Sequence, residues 1–347
     1  MSHRDGKTIR VGVIGLGFMG QHHIRAYRAA HAAGYPVEVV AVCDRNPDRR
    51  TGLPSADGNI GADNEGHLFD PDHVRGYAEA SELFADKEVD LVSICTHTET
   101  HPELAIKALR AEKHALVEKP LAVTVADARR VADVAASANR LCMPAMCMRF
   151  WPGWSWLRDR VQENTYGAVL GATFHRLGSP PAWASDFYGD STRSGGALVD
   201  LHIHDADFVR WMFGDPDSVV SAGSINHLTT LYRYDQGPGH VVAEGGWGHA
   251  SGFPFKMRYV VSFEDATADF DLGRDPKLLL TRDGTTEPVE IEDGTGYDHE
   301  IRHMLDAIRD GRHELRATVH DAVNVARLLD AERRSLETGE IVDLHSR

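Results

Sequence analysis

The chain has 347 residues, enough for two domains with substantial cores. A formal charge of −15 and the lack of a basic cluster argue against a nucleic-acid surface. No apolar run approaches the length of a membrane span, and Met1 to Lys7 lacks the apolar core of a signal peptide, so a cytoplasmic protein with no membrane partner is expected.

Ile9, Val11, Val13 and Ile14 form the β-branched run that a buried parallel strand needs. Gly15, Gly17 and Gly20 follow in G-x-G-x-x-G spacing, and Gln21 to Ala30 reads as a helix. Gly15 permits the tight turn, Gly17 lets backbone approach a pyrophosphate, and Gly20 lets the helix lie close to the strand. The helix N-terminus presents amides and partial positive charge to phosphates, and Phe18 and Met19 between the glycines join the expected cofactor-binding set. A second strand, Val37 to Cys43, ends at Asp44, where a carboxylate accepts from ribose hydroxyls and repels a 2′-phosphate. NAD is therefore the expected cofactor; Arg45 and Arg49 keep NADP open. Residues 51–74 hold four glycines and two prolines and read as an inserted loop, more mobile than its surroundings.

Alternation resumes with a helix at Ser81–Phe84, a strand at Val89–Cys95 and a helix from Pro102 to Ala111. A strand at His114–Val117, a helix at Val125–Ser137 and a strand at Leu141–Met146 complete the pattern. This is the grammar of a Rossmann-type, doubly wound parallel sheet over residues 1–147. From residue 148 onward the pattern changes to helices at Pro152–Glu163 and within Ser194–Phe213. Strands are expected at 167–177, 219–227, 231–234, 240–247, 255–263, 266–271, 278–282 and 289–292, and helices at 297–309 and 320–337. Short turns between successive strands imply an open, mostly antiparallel sheet in a second α/β domain, 148–347, which shares a cleft with the first. Cys43, Cys95, Cys142 and Cys147 form no CxxC pair and read as reduced, buried thiols.

Three constellations carry chemistry. Glu118-Lys119-Pro120 closes a strand, and ligands of open α/β sheets bind beyond strand ends, so Lys119 is aimed at the nicotinamide; the bland alternative is a surface lysine. Asp200 and His204 stand at i and i+4, on one face if the segment is helical, as an acid–base pair needs; a packing histidine is the alternative. His202, His204 and Asp205 are ligand types for a metal, but on a helix His202 and His204 point about 200° apart, so no metal is expected. The loop Thr96-His97-Thr98-Glu99-Thr100-His101 follows a strand and is read as passing the cofactor, with Thr96, His97, His101 and Glu118 in cofactor roles.

Together these motifs, in this order, resemble the glucose–fructose oxidoreductase / inositol dehydrogenase (Gfo/Idh/MocA) family over nearly the whole chain. The resemblance implies catalysis by Lys119, Asp200 and His204, and homodimers or homotetramers formed through the second sheet. It also implies hydride transfer between nicotinamide and a secondary alcohol of a sugar, cyclitol or related polyol. Two rivals are an NAD-dependent glycoside hydrolase and a non-catalytic dinucleotide or sugar sensor. His97 stands where the family usually has Asn or Pro, and His202 where a small residue is common, so His202 is expected to narrow the substrate pocket. Arg149, Trp151 and Trp183 are further substrate-binding candidates, and Tyr188, Arg193 and His249 weaker ones.

Overall fold

The computed structural model describes residues 7–54, 66–181, 188 and 190–345. Trp183 and positions 55–65 of the expected insertion lie outside them. The chain divides into two compact units: residues 1–147 with 295–323, and residues 148–294 with 324–347. The break at 147 falls where the sequence grammar changes, but the second unit is not the continuous stretch 148–347, because 295–323 folds with the first.

The first unit holds six parallel strands: β1 (Ile9–Ile14), β2 (Val37–Cys43), β3 (Arg75–Tyr77), β4 (Leu91–Ile94), β5 (His114–Glu118) and β6 (Cys142–Ala145). Their order, β3-β2-β1-β4-β5-β6, is that of a doubly wound dinucleotide-binding sheet. Connecting helices are α1 (Phe18–Ala32), α2 (Ala80–Ala85), α3 (His101–Arg110) and α4 (Val125–Ser137). Val11 and Val13 are wholly buried in β1, as covering both sheet faces with helices requires. The three-residue β3, with two exposed residues, has no periodic signal in the sequence and exists only by pairing with β2.

The second unit carries α5 (Pro152–Gln162), β7 (Val169–Leu177), α6 (Ser191–Ser194), α7 (Gly196–Asp200) and α8 (Ile203–Phe213). Strands follow: β8 (Ser218–Ser224), β9 (His227–Arg233), β10 (His240–Gly246), β11 (Lys256–Phe263), β12 (Thr267–Asp271), β13 (Leu278–Arg282) and β14 (Thr285–Pro288). The chain ends with α9 (Gly296–Asp310), which packs on α1 in the first unit, α10 (Val319–Thr338) and the short β15 (Val342–Asp343). The nine strands order as β14-β13-β12-β11-β7-β10-β9-β8-β15. All pair antiparallel except β7 with β10, which are parallel.

One face of this sheet is core. On β11, buried and half-buried residues alternate strictly, and Trp154 packs edge-to-face on Phe208 at 4.7 Å and Tyr259 at 5.3 Å. Two buried ion pairs join helix to strand or loop: Arg176–Asp205, at 2.9 and 3.0 Å, and Arg149–Asp207, at 2.8 and 2.6 Å. The last hairpin strand lies at 285–288 rather than the expected 289–292. Asp283 and Gly284 both adopt positive φ, so the turn is complete in two residues and pairing restarts at Thr285.

Candidate active site

The glycine turn behaves as its spacing predicts. Gly15 has φ of +86°, and a Cβ there would lie 2.6 Å from the Cys95 carbonyl oxygen. A Cβ on Gly20 would lie 1.9 Å from the Gly15 carbonyl oxygen. Gly17 differs: the nearest atom to its Cβ position is the Arg49 Nη1, 3.9 Å away. Protein packing thus requires glycine at 15 and 20, but leaves the space over Gly17 open to a ligand. Gly17 is also the N-cap of α1 and supplies no side-chain cap, which suits an anion at the helix terminus.

Asp44 stands at the end of β2 beside this turn. Its Oδ2 accepts from the Leu16 amide at 2.8 Å and its Oδ1 from the Asn46 amide at 2.9 Å. The Arg49 guanidinium lies 3.6 Å from Oδ2, and Arg45 is exposed. An acid and a basic group therefore stand together at the end of β2, the combination the sequence left open.

In the loop after β4, the Thr96 and Thr100 hydroxyls are 2.6 Å apart, and exposed His97 precedes a 3-10 turn at Thr98–Thr100. His101 is expected to serve the cofactor, but its ring is buried. Nδ1 lies 2.8 Å from the Pro120 carbonyl and Nε2 2.9 Å from the Thr96 carbonyl. Burial lowers its pKa below the usual histidine value. His101 braces the Thr96 loop against the loop after β5 and makes no contact with solvent. Glu118 likewise leaves the cofactor-binding set: it is buried and turns inward to His23 at 3.0 Å, while its other oxygen accepts from the Lys119 amide at 3.1 Å. Lys119 is half-buried at the strand end, before a cis Lys119–Pro120 bond.

In the second unit, Asp200 is half-exposed at the end of α7, and mostly buried His204 lies in the first turn of α8. The two are not on one continuous helix. Both Leu201 and His202 donate their amides to the Ala197 carbonyl, and the helix restarts at Ile203. Arg149 and His202 leave the substrate-binding set. Arg149 is 1% exposed and engaged by Asp207; His202 is fully buried, 3.0 Å from Glu332 and 3.2 Å from the Tyr232 hydroxyl. Enclosed side chains offer nothing to a substrate. Trp151 is also buried, which favours its packing role. Tyr188 sits edge-to-face on Trp247 at 5.5 Å, His249 stacks on Phe253 at 4.1 Å, and Arg193 is half-buried.

Sequence reasoning missed His23, Ser93 and Glu300, which form a buried polar cluster behind Lys119. Glu300 carried a signal, since it is an acid on the apolar stripe of α9 with Ile301, Met304 and Leu305. The four cysteines are buried and free, and no helix among the described residues is long and apolar enough to cross a membrane.

Residues 9–146 match the oxidoreductase family described as having an NAD-binding Rossmann fold, and residues 154–250 match the C-terminal domain of the same family. The chain belongs to the Gfo/Idh/MocA family. Its first unit is accordingly an NAD-binding Rossmann domain of that family. This Gfo/Idh/MocA chain is 30% identical over 221 residues to a myo-inositol 2-dehydrogenase of Thermotoga maritima, covering 62% of this chain and 59% of that protein. It is 30% identical to a 1,5-anhydro-D-fructose reductase of Ensifer adhaerens over 193 residues, 55% of each chain. These matches span a little over half the length of the curated relatives. The fold is similar to that of a levoglucosan dehydrogenase solved with NADH and levoglucosan, with TM-score 0.82, 21% identity, and 97% of this chain and 99% of that chain covered.

Proposed function

We propose that this Gfo/Idh/MocA protein is an NAD-dependent dehydrogenase of CH–OH groups, acting reversibly on a secondary alcohol of a sugar, cyclitol or related polyol. The observation that carries the reading is the open space over Gly17 beside the fixed Asp44 carboxylate, a cradle for a dinucleotide. The names of the curated relatives, inositol and anhydro-sugar oxidoreductases, supply the substrate class.

NAD, when bound, supplies the hydride acceptor. The turn at Gly15–Gly20 holds its phosphates and Asp44 its ribose. His204 takes the hydroxyl proton as the C–H bond breaks, Lys119 donates a hydrogen bond to the same oxygen, and Asp200 orients imidazole and substrate. Trp183, Tyr188 and Arg193 remain candidates for substrate contact. The reading extends to a cytoplasmic homodimer or homotetramer joined through the second sheet.

Positioned acid–base groups contribute about 10²- to 10⁴-fold each. Lys119→Ala and His204→Ala are therefore expected to lose turnover by that order on an active polyol while still quenching with NADH. Near-normal rates in both would refute the assignment. Sugar release from glycosides without net NADH formation would instead identify the hydrolase chemistry.

A further inference from the structure

Behind Lys119, within the first unit, lies a polar cluster with almost no access to solvent. His23 on α1 places Nε2 3.0 Å from Glu118 Oε1 and Nδ1 3.2 Å from the Ser93 hydroxyl. The Tyr27 hydroxyl is 2.8 Å from the same Ser93 oxygen. Glu118 Oε2 accepts from the Lys119 amide. Glu300, from α9, is 0% exposed, and neither of its carboxyl oxygens has a hydrogen-bond partner among the described residues. The ligand atoms of His23, Glu118 and Glu300 all lie within 4.8 Å of one another.

Two ionised carboxylates this close, away from water, repel strongly, so one proton must be retained between them. The donors decide where. Glu118 receives two, from His23 and the Lys119 amide, whereas Glu300 receives none. One set of hydrogen-bond directions closes the chain: with Tyr27 donating to Ser93 and Ser93 to His23 Nδ1, the His23 Nε2–H is left to donate to Glu118.

We propose that Glu300 is a positioning residue: a neutral carboxylic acid that leaves Glu118 as the cluster's single anion, and through it fixes the main chain of Lys119. This rests on the reading of Lys119 as a catalytic group. The direction of each acidity agrees with the assignment. Burial and then the Glu118 charge push Glu300 well above the carboxylate range. Burial opposes ionisation of Glu118 too, but His23, Lys119 and His101 hold its pKa below the usual value. The other titratable groups facing the cluster are Tyr27 and His22 on α1, Cys95 after β4, and Asp298 on α9. A metal ion would need the same three residues as ligands, yet His23 and Glu118 already satisfy each other at hydrogen-bond distance.

The test pairs spectroscopy with kinetics. Infrared spectra of the intact protein labelled with ¹³C-glutamate at pH 8 should show the C=O band of a protonated glutamic acid, and Glu300→Gln should remove it. In the steady state, Glu118→Gln, which removes the anion that accepts from the Lys119 amide, should lower kcat by up to about 100-fold, as a displaced catalytic group does. KM for NAD should change little, and Glu300→Gln, neutral like the acid it replaces, should retain most of kcat. Absence of the protonated band, or a stoichiometric metal in the purified protein, overturns the proposal; so does a Glu118→Gln variant with wild-type kcat. The band depends on no substrate, so a wild-type protein that shows it but oxidises no polyol refutes the dehydrogenase reading and leaves the proton assignment standing. A Glu118→Gln variant that fails to fold leaves the band as the deciding measurement.

Discussion

Asp44 does two things at once. Its carboxylate holds the Leu16 amide of the glycine turn, and its position at the end of β2 suits a ribose. Arg49 lies close enough to attract a 2′-phosphate once that negative charge is gone. Asp44→Ser is therefore expected to shift the ratio of kcat/KM for NAD over NADP toward NADP, and Arg49→Ala in that background to reverse the shift. Measuring both cofactors with each variant checks this. Asp44 was legible because a strand-final acid after G-x-G-x-x-G is a local pattern. Arg149 and His202 were misread for the opposite reason. Their partners, Asp207 and Glu332, lie 58 and 130 residues on, and no local spacing reports a long-range ion pair.

At the scale of elements, the last two glycines of the turn should respond differently to the same methyl group. Gly20→Ala drives its Cβ into the Gly15 carbonyl, so the α1–β1 approach must open. Overpacking of this kind typically costs about 1–3 kcal/mol, and a lower Tm with weak NADH binding is expected. Gly17→Ala meets only the Arg49 Nη1, at an ordinary contact distance of 3.9 Å. It should keep Tm within a degree or two of wild type, a change of a few tenths of a kcal/mol, yet lose cofactor affinity by fluorescence titration. The central strands of the Rossmann sheet and the long closing helices were readable from periodicity. The break between α7 and α8 was not, since no glycine or proline interrupts Ala197 to Phe213, and only the doubled bond to Ala197 shows the interruption.

For the molecule as a whole, His202 contributes a pH-dependent term to stability. Burial opposes its charge, but Glu332 prevails and raises its pKa above the usual value. A histidine whose folded pKa exceeds its unfolded pKa of about 6.5 stabilises fully below that value. The contribution is lost as pH rises through the folded pKa. Urea midpoints from pH 5.5 to 8.5 should therefore fall more for wild type than for His202→Gln. The sequence also could not show that residues 295–323 belong with the first 147, because assignment by order along the chain assumes that domains are contiguous.

That interleaving bears on how the protein is made. Helix α9 covers α1 and brings Glu300 to His23, yet it leaves the ribosome some 150 residues after β6. Until then the nascent Rossmann sheet holds its polar pocket half built, with Glu118 lacking the acid that caps it. A gene fragment stopping at codon 147 is thus expected to yield insoluble or protease-sensitive material. Supplying residues 295–323 on a short linker should restore a cooperative melt.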